Sequence, residues 1–255
     1  MGASAGDRVV DPPPSTDEWR DIARVPNLYY HILSWPEKEQ EGFTEEEFYA
    51  TGVSDWEDFR SQWSHYAPDL GGTVVEIGCG AGRLTRALAG DFEAVVALDV
   101  SQDMIDHARE HCPDNVEFEM VDGTDIPRPD GSVDAVFSAI VLQHLETFDH
   151  VRAYMQDALR ALRPGGSVML NISMAHKPRG RVERARTEFQ IWRSRRGLKQ
   201  GRVHQKVRWN EYPWEQVYKT LEELGYENVQ LRMFPVRSNG WQHQFWFAQR
   251  PSSSA

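Results

Sequence analysis

Three glycines at alternate positions, Gly78, Gly80 and Gly82, follow the short apolar run Val74–Ile77, which carries one acid, Glu76. Glycine is used where the chain must turn sharply or where a ligand must lie against bare main chain. From Arg83 the residues read as helical, through Leu84, Ala87 and Leu88. The loop is therefore expected to feed a helix N-terminus, whose free N–H groups suit an anionic group. Asp99 closes the next apolar run, Ala94–Val100, where its carboxylate is placed to accept hydrogen bonds from a ribose diol. This pattern describes a nucleotide-type pocket at the C-terminal edge of a parallel sheet. A dinucleotide fingerprint would need its third glycine at position 83, which is Arg83. Glu76 beside the loop would repel a pyrophosphate and suits a cationic ligand instead.

At these residues the chain resembles motif I of the class I S-adenosylmethionine-dependent methyltransferases. The resemblance extends by order and spacing from about Gly72 to Leu170, and more loosely to Arg250. It implies a methyltransferase (EC 2.1.1.-) with S-adenosyl-L-methionine as methyl donor and S-adenosyl-L-homocysteine as product, and no metal. By the same resemblance Asp99 takes the ribose hydroxyls and Glu76 favours the cationic methionine end. Gly78, Gly80 and Gly82 let that end lie on the backbone. Met104 would pack on the adenine or serve as core. Asp122, with Gly123 and Thr124, looks like the adenine-reading loop, its acid accepting from the exocyclic amine; the alternative is a turn residue capping the next segment. Ser138 and the stretch Ala139–Leu145 would border both methionine and acceptor. His144 then stands where some small-molecule methyltransferases hold a base. With an ordinary pKa near ~6.5 it can take a proton at neutral pH. The alternative is a helix residue bonded to a backbone group.

The elements that must position these residues alternate. Strands are expected near 73–78, 94–99, 116–121, 133–138, 167–172, 227–233 and 242–249. Helices are expected near 82–90, 102–111, 149–162 and 213–224, with Ser101 and Asp149 as caps and Arg163–Gly166 as a break. Such alternation implies an α/β fold with helices on both faces of a parallel sheet. The resemblance makes it a Rossmann-like, doubly wound, seven-stranded, mostly parallel sheet whose last strand runs antiparallel. Residues 1–16 read as a flexible tail, 17–66 as an aromatic-rich N-terminal helical cap, and 67–255 as the methyltransferase domain. Thr44–Glu47 reads as a capping box. The cap is either a packed layer with an acidic face or, through Phe48–Gly52, a lid over the cofactor.

The insertion after strand five, 176–209, holds twelve arginines and lysines against two glutamates in a chain of net charge −11. Val182, Ala185, Phe189 and Trp192 recur at helical spacing, so a basic amphipathic helix is expected near 180–196. Its arginines could grip a carboxylate or phosphate on a small-molecule acceptor, while Phe189, Trp192 and Trp209 could stack on a planar group. They could instead pair with the acidic cap, meet a partner subunit, or bind RNA. The overall acidity disfavours a general nucleic-acid or membrane binder. A non-catalytic partner subunit of the same fold is the remaining alternative. Cys79 and Cys112 are expected as free thiols in a reducing cytoplasm. The sequon Asn171-Ile172-Ser173 lies on an expected buried strand and is discounted.

Overall fold

The computed structural model describes residues 15–67, 70–174 and 208–252, together with 185, 189, 192 and 193. Seven strands, β1 (Thr73–Ile77), β2 (Ala94–Asp99), β3 (Val116–Met120), β4 (Val133–Ser138), β5 (Leu162–Asn171), β6 (Glu227–Pro235) and β7 (Gln242–Gln249), form one sheet. Their order is β3-β2-β1-β4-β5-β7-β6. The first five pair in parallel, and β7 runs antiparallel to both β5 and β6. The order reverses between β1 and β4, which leaves a crevice beyond the C-terminal ends of the strands, the usual ligand position in such sheets.

The central strands read Thr-Val-Val-Glu-Ile and Ala-Val-Val-Ala-Leu-Asp because both faces are covered. On one face α6 (Phe148–Ala161) and α7 (Trp214–Leu224) bury Tyr154, Met155, Val217 and Leu221. On the other, α3 (Glu45–Trp63) presents Trp56, Phe59 and Trp63 to Phe137 and Phe245. The Thr44 capping box opens α3: Glu47 N–H donates to Thr44 Oγ1, and Thr44 N–H to the Glu47 carboxylate. So α3 is a full layer of the sheet's packing. The helices α1 (Ser15–Ile22) and α2 (Leu28–Leu33) sit over the crevice end, in a cluster with Phe48, Tyr49, Ala81 and Met104.

Several boundaries differ from expectation. The helix expected over 82–90 is a single turn, α4 (Thr85–Leu88), because Gly82 N–H is spent on Cys79 O and the chain turns again before Leu84. Ser101 caps α5 (Gln102–Arg109), accepting from Met104 N–H. Asp149 does not cap α6; Thr147 holds that position and Asp149 lies in the first turn. The break at Arg163–Gly166 is absorbed within β5, whose register with β4 jumps between Val133 and Ala135. The expected tail lies outside the described residues up to position 14, and α1 has already begun at Ser15. Nearly all of the basic insertion 176–209 also lies outside them. Within it, Phe189 and Trp192 are exposed rings stacked at 5.7 Å.

Candidate active site

The loop after β1 is held from below by its neighbour strand: Gly78 N–H and Cys79 N–H both donate to Leu98 O, at 2.8 and 2.9 Å. Above it opens a cavity of about 1000 Å³, its open mouth included. Gly80 lies at φ +53°, and a Cβ there would meet no atom within 4 Å. Its missing side chain is thus open space at the crevice, available to a ligand. Gly82 plays a different part, packed against Ala108 and Cys112 of the α5 segment and away from the cavity lining.

Two buried carboxylates face this bare backbone. Asp99 accepts from Gly80 N–H through Oδ2 at 2.8 Å and from Ser101 N–H through Oδ1 at 2.9 Å. Burial raises its pKa, and those backbone donors work against the rise. Glu76 accepts from Thr85 Oγ1 at 2.6 Å. Burial pushes its pKa up to about 8, opposed by that hydrogen bond and by the nearby Arg83 guanidinium. Each carboxylate is therefore aimed by the fold and under-neutralised, a combination that favours a ligand carrying hydroxyl donors and positive charge.

Glu76, Gly78, Gly80, Asp99, Met104, Gly123 and His144 line this cavity; Gly82, Asp122, Thr124 and Ser138 do not. Ser138 is fully buried, its hydroxyl donating to Ile77 O at 3.2 Å as a tie between β4 and β1. Asp122 Oδ1 accepts from Thr124 N–H and Oγ1, the geometry of a turn cap, while the backbone of Gly123 reaches the lining. Cys79 is buried, and burial drives its thiol well above the ordinary value.

His144 closes one side. Its Nδ1 lies 2.5 Å from Arg208 O, so Nδ1 carries the proton and donates, leaving Nε2 with the lone pair. Burial lowers its pKa to about 4, against that hydrogen bond. Its ring meets Trp19 edge-on at 5.0 Å and Trp209 at 5.5 Å.

Other lining residues had no local signal. Thr16, Trp19 and Ile32 arrive from α1 and α2, long before the glycine loop in sequence. Ile140 adopts φ +59°, an outlier for a β-branched residue. Asn171, the discounted sequon residue, is buried and holds it there: its Oδ1 accepts from Ile140 N–H at 3.1 Å, and its Nδ2 donates to Gln244 O.

The sheet order, the glycine crevice and the strand-end acid together define the class I S-adenosylmethionine-dependent methyltransferase architecture. A family model described as "Methyltransferase domain" matches residues 74–166 of the chain. It is similar to the malonyl-[acyl-carrier protein] O-methyltransferase of Hahella chejuensis, 39% identical over 100 residues, covering 38% of this chain and 34% of the relative. It is also similar to the demethylmenaquinone methyltransferase of Tropheryma whipplei, 32% identical over 102 residues, covering 39% of this chain and 41% of the relative. The matched part thus spans well under half of those relatives. Among solved structures, magnesium protoporphyrin IX methyltransferase from Synechocystis PCC 6803 with bound S-adenosylhomocysteine shares the fold. Its TM-score is 0.58 at 17% identity, covering 92% of this chain and 99% of that one.

Proposed function

We propose that this chain is a cytoplasmic S-adenosylmethionine-dependent methyltransferase acting on a small molecule. The observation that carries the reading is the open backbone at Gly80 between two buried carboxylates, Asp99 and Glu76. Asp99 would hold the ribose hydroxyls, Glu76 the cationic methionine end, and Met104 and Gly123 the adenine side of the cavity. When bound, the cofactor supplies a methyl group activated by a sulfonium. The free thiols of Cys79 and Cys112 support a reducing compartment, and among the described residues no helix is long and apolar enough to cross a membrane. Names of the relatives above point to non-nucleic-acid acceptors. Isothermal titration with S-adenosylmethionine tests the reading; no binding by protein shown to be folded would defeat it.

That titration carries a second expectation. Glu76, with its pKa at about 8, is mostly protonated at pH 7 in the free protein. A cationic ligand favours the ionised carboxylate and lowers that pKa, so binding below pH 8 must release a proton. Affinity is therefore expected to rise with pH up to about 8. Titration at pH 7 in buffers of different ionisation enthalpy should report close to one proton released, and Glu76→Gln should report none from this site.

Alignment of two bound reactants can supply roughly 7–11 kcal/mol, whereas a general base typically contributes about 10²–10⁴-fold. The chain's main task is thus to hold and orient, with water excluded by Trp19, Ile32 and Leu145 around the cavity. With a pKa of about 4, His144 is a poor proton acceptor at neutral pH but a good hydrogen-bond acceptor at Nε2. We assign it the orientation of the acceptor's attacking group. A histidine of depressed pKa is neutral above that value and charges only as pH falls through it. The rate should accordingly show no histidine limb between pH 5.5 and 8; an inflection near 6.5 that vanishes in His144→Asn would assign it as the base instead.

A further inference from the structure

A second cavity, of about 1150 Å³ including its mouth, lies against the first. Trp19, Ile32, Ile140 and His144 line both, forming the partition between them. Ile140, the strained residue clamped by Asn171, stands in that partition, and strained backbone collects where a protein must hold an unusual geometry.

Resting on the methyltransferase reading above, we infer that this second cavity is the acceptor chamber and takes a planar aromatic molecule bearing an oxygen nucleophile, such as a phenol. Six of its lining side chains are rings: Trp19, Trp209 and Trp241, with His31, His144 and His243. Aromatic rings stack face-on or edge-on with one another at a gain of about 0.5–1.5 kcal/mol beyond the area they bury. The edge-on run Trp19–His144–Trp209 is one wall of such a slot.

The remaining lining groups bear on the charge of the acceptor. No arginine or lysine is among the described residues lining the chamber. Burial lowers the pKa of His31, His144 and His243 alike, so these rings stay neutral and give an anion no counter-charge. Against the rings stand the amides Asn171, Gln242 and Gln244, with one carboxylate, Glu211. Met174 N–H donates to Gln244 Oε1 at 2.6 Å, which leaves the Gln244 NH₂ as a donor. A donor amide engages an oxygen, and the tetramethylammonium arm of the test below decides whether the Glu211 carboxylate on the same lining prefers a cation instead. In the transfer, the acceptor oxygen would form the new C–O bond with its own electron pair as the methyl–sulfur bond breaks. The hydroxyl proton leaves to solvent, since His144 is too weak a base to keep it.

The test uses the full chain, titrated with 2-naphthol, cyclohexanol, succinate and tetramethylammonium, alone and saturated with S-adenosylhomocysteine. 2-Naphthol should bind at least several-fold tighter than any of the others, quenching tryptophan fluorescence. Trp241 touches only the second cavity and is 46% exposed, so its truncation removes little packing. Trp241→Ala should weaken 2-naphthol about 3–10-fold, the factor that one stacked ring is worth. S-Adenosylhomocysteine affinity should stay within twofold, and Trp241→Phe should recover most of the loss. Equal binding of cyclohexanol, preference for succinate or tetramethylammonium, or indifference to Trp241→Ala would overturn the assignment. S-Adenosylhomocysteine binding without naphthol discrimination defeats this inference alone; failure of the folded chain to bind S-adenosylhomocysteine defeats the parent reading too.

Discussion

Asp99→Ala is expected to weaken S-adenosylmethionine binding by about 10²–10³-fold. A hydrogen bond to a charged acceptor is worth about 1.5–3 kcal/mol, and a ribose diol would make two to this carboxylate. The substitution also strips Gly80 N–H and Ser101 N–H of their shared acceptor, so the loop loses its aim along with its charge. Asp99→Asn should recover part of the affinity. One of its two positions would present an NH₂ to a backbone donor, so recovery stays incomplete. Titration calorimetry on variants with native circular dichroism measures both. Unchanged affinity in Asp99→Ala would refute the ribose assignment.

Arg83→Met is expected to cost about 3–5 kcal/mol of stability, the usual penalty for stranding one member of a buried ion pair. Arg83 meets Asp55 Oδ2 at 2.6 Å with side chains only 6% and 5% exposed, and Asp55 Oδ1 has no hydrogen-bond partner among the described residues. The lone carboxylate would be left beneath α3, against the wall of the cofactor cavity. The double variant Arg83→Met/Asp55→Leu should regain most of the loss, because both charges then leave together. Urea unfolding of the single and double variants decides it; a single variant within ~1 kcal/mol of the parent would show that water reaches the pair.

Much of this architecture was legible because its signals are local. The apolar runs of β2 and β7 are bounded by polar residues and turn residues, so Ala94–Asp99 and Gln242–Gln249 appear at their observed ends. The spacing Gly78-x-Gly80 and the strand-end acid Asp99 specify a crevice whatever the rest of the chain does. What stayed hidden depends on distant partners. Nothing near Trp19 announces that it will meet His144, and no residue type announces φ +59° at Ile140. Asp122 illustrates a genuine ambiguity of chemistry: an acid ahead of Gly-Thr serves a ligand or its own turn, and here Thr124 engages it. The mis-assigned cap of α6 has the same origin, since Thr147 and Asp149 are both good N-terminal residues and only the backbone chooses.

The seat of α3 has a mechanical consequence. A single methyl added at Gly52 would come within 2.1 Å of Arg83 O, so the long helix and the strand-to-turn connection beneath it touch main chain to main chain. Two backbones in such contact cannot slide or tilt without parting altogether, which makes α3 a hinge post. On the other side, the short helices α1 and α2 supply Thr16, Trp19 and Ile32 to the cavity lining. They are fastened by the exposed Arg24–Asp103 ion pair, by the part-buried Tyr29–His107 hydrogen bond and by the apolar cluster around Ile22 and Leu33. Residues 15–63 are thus divided in labour, α3 as the fixed seat of the crevice and α1 with α2 as its cover.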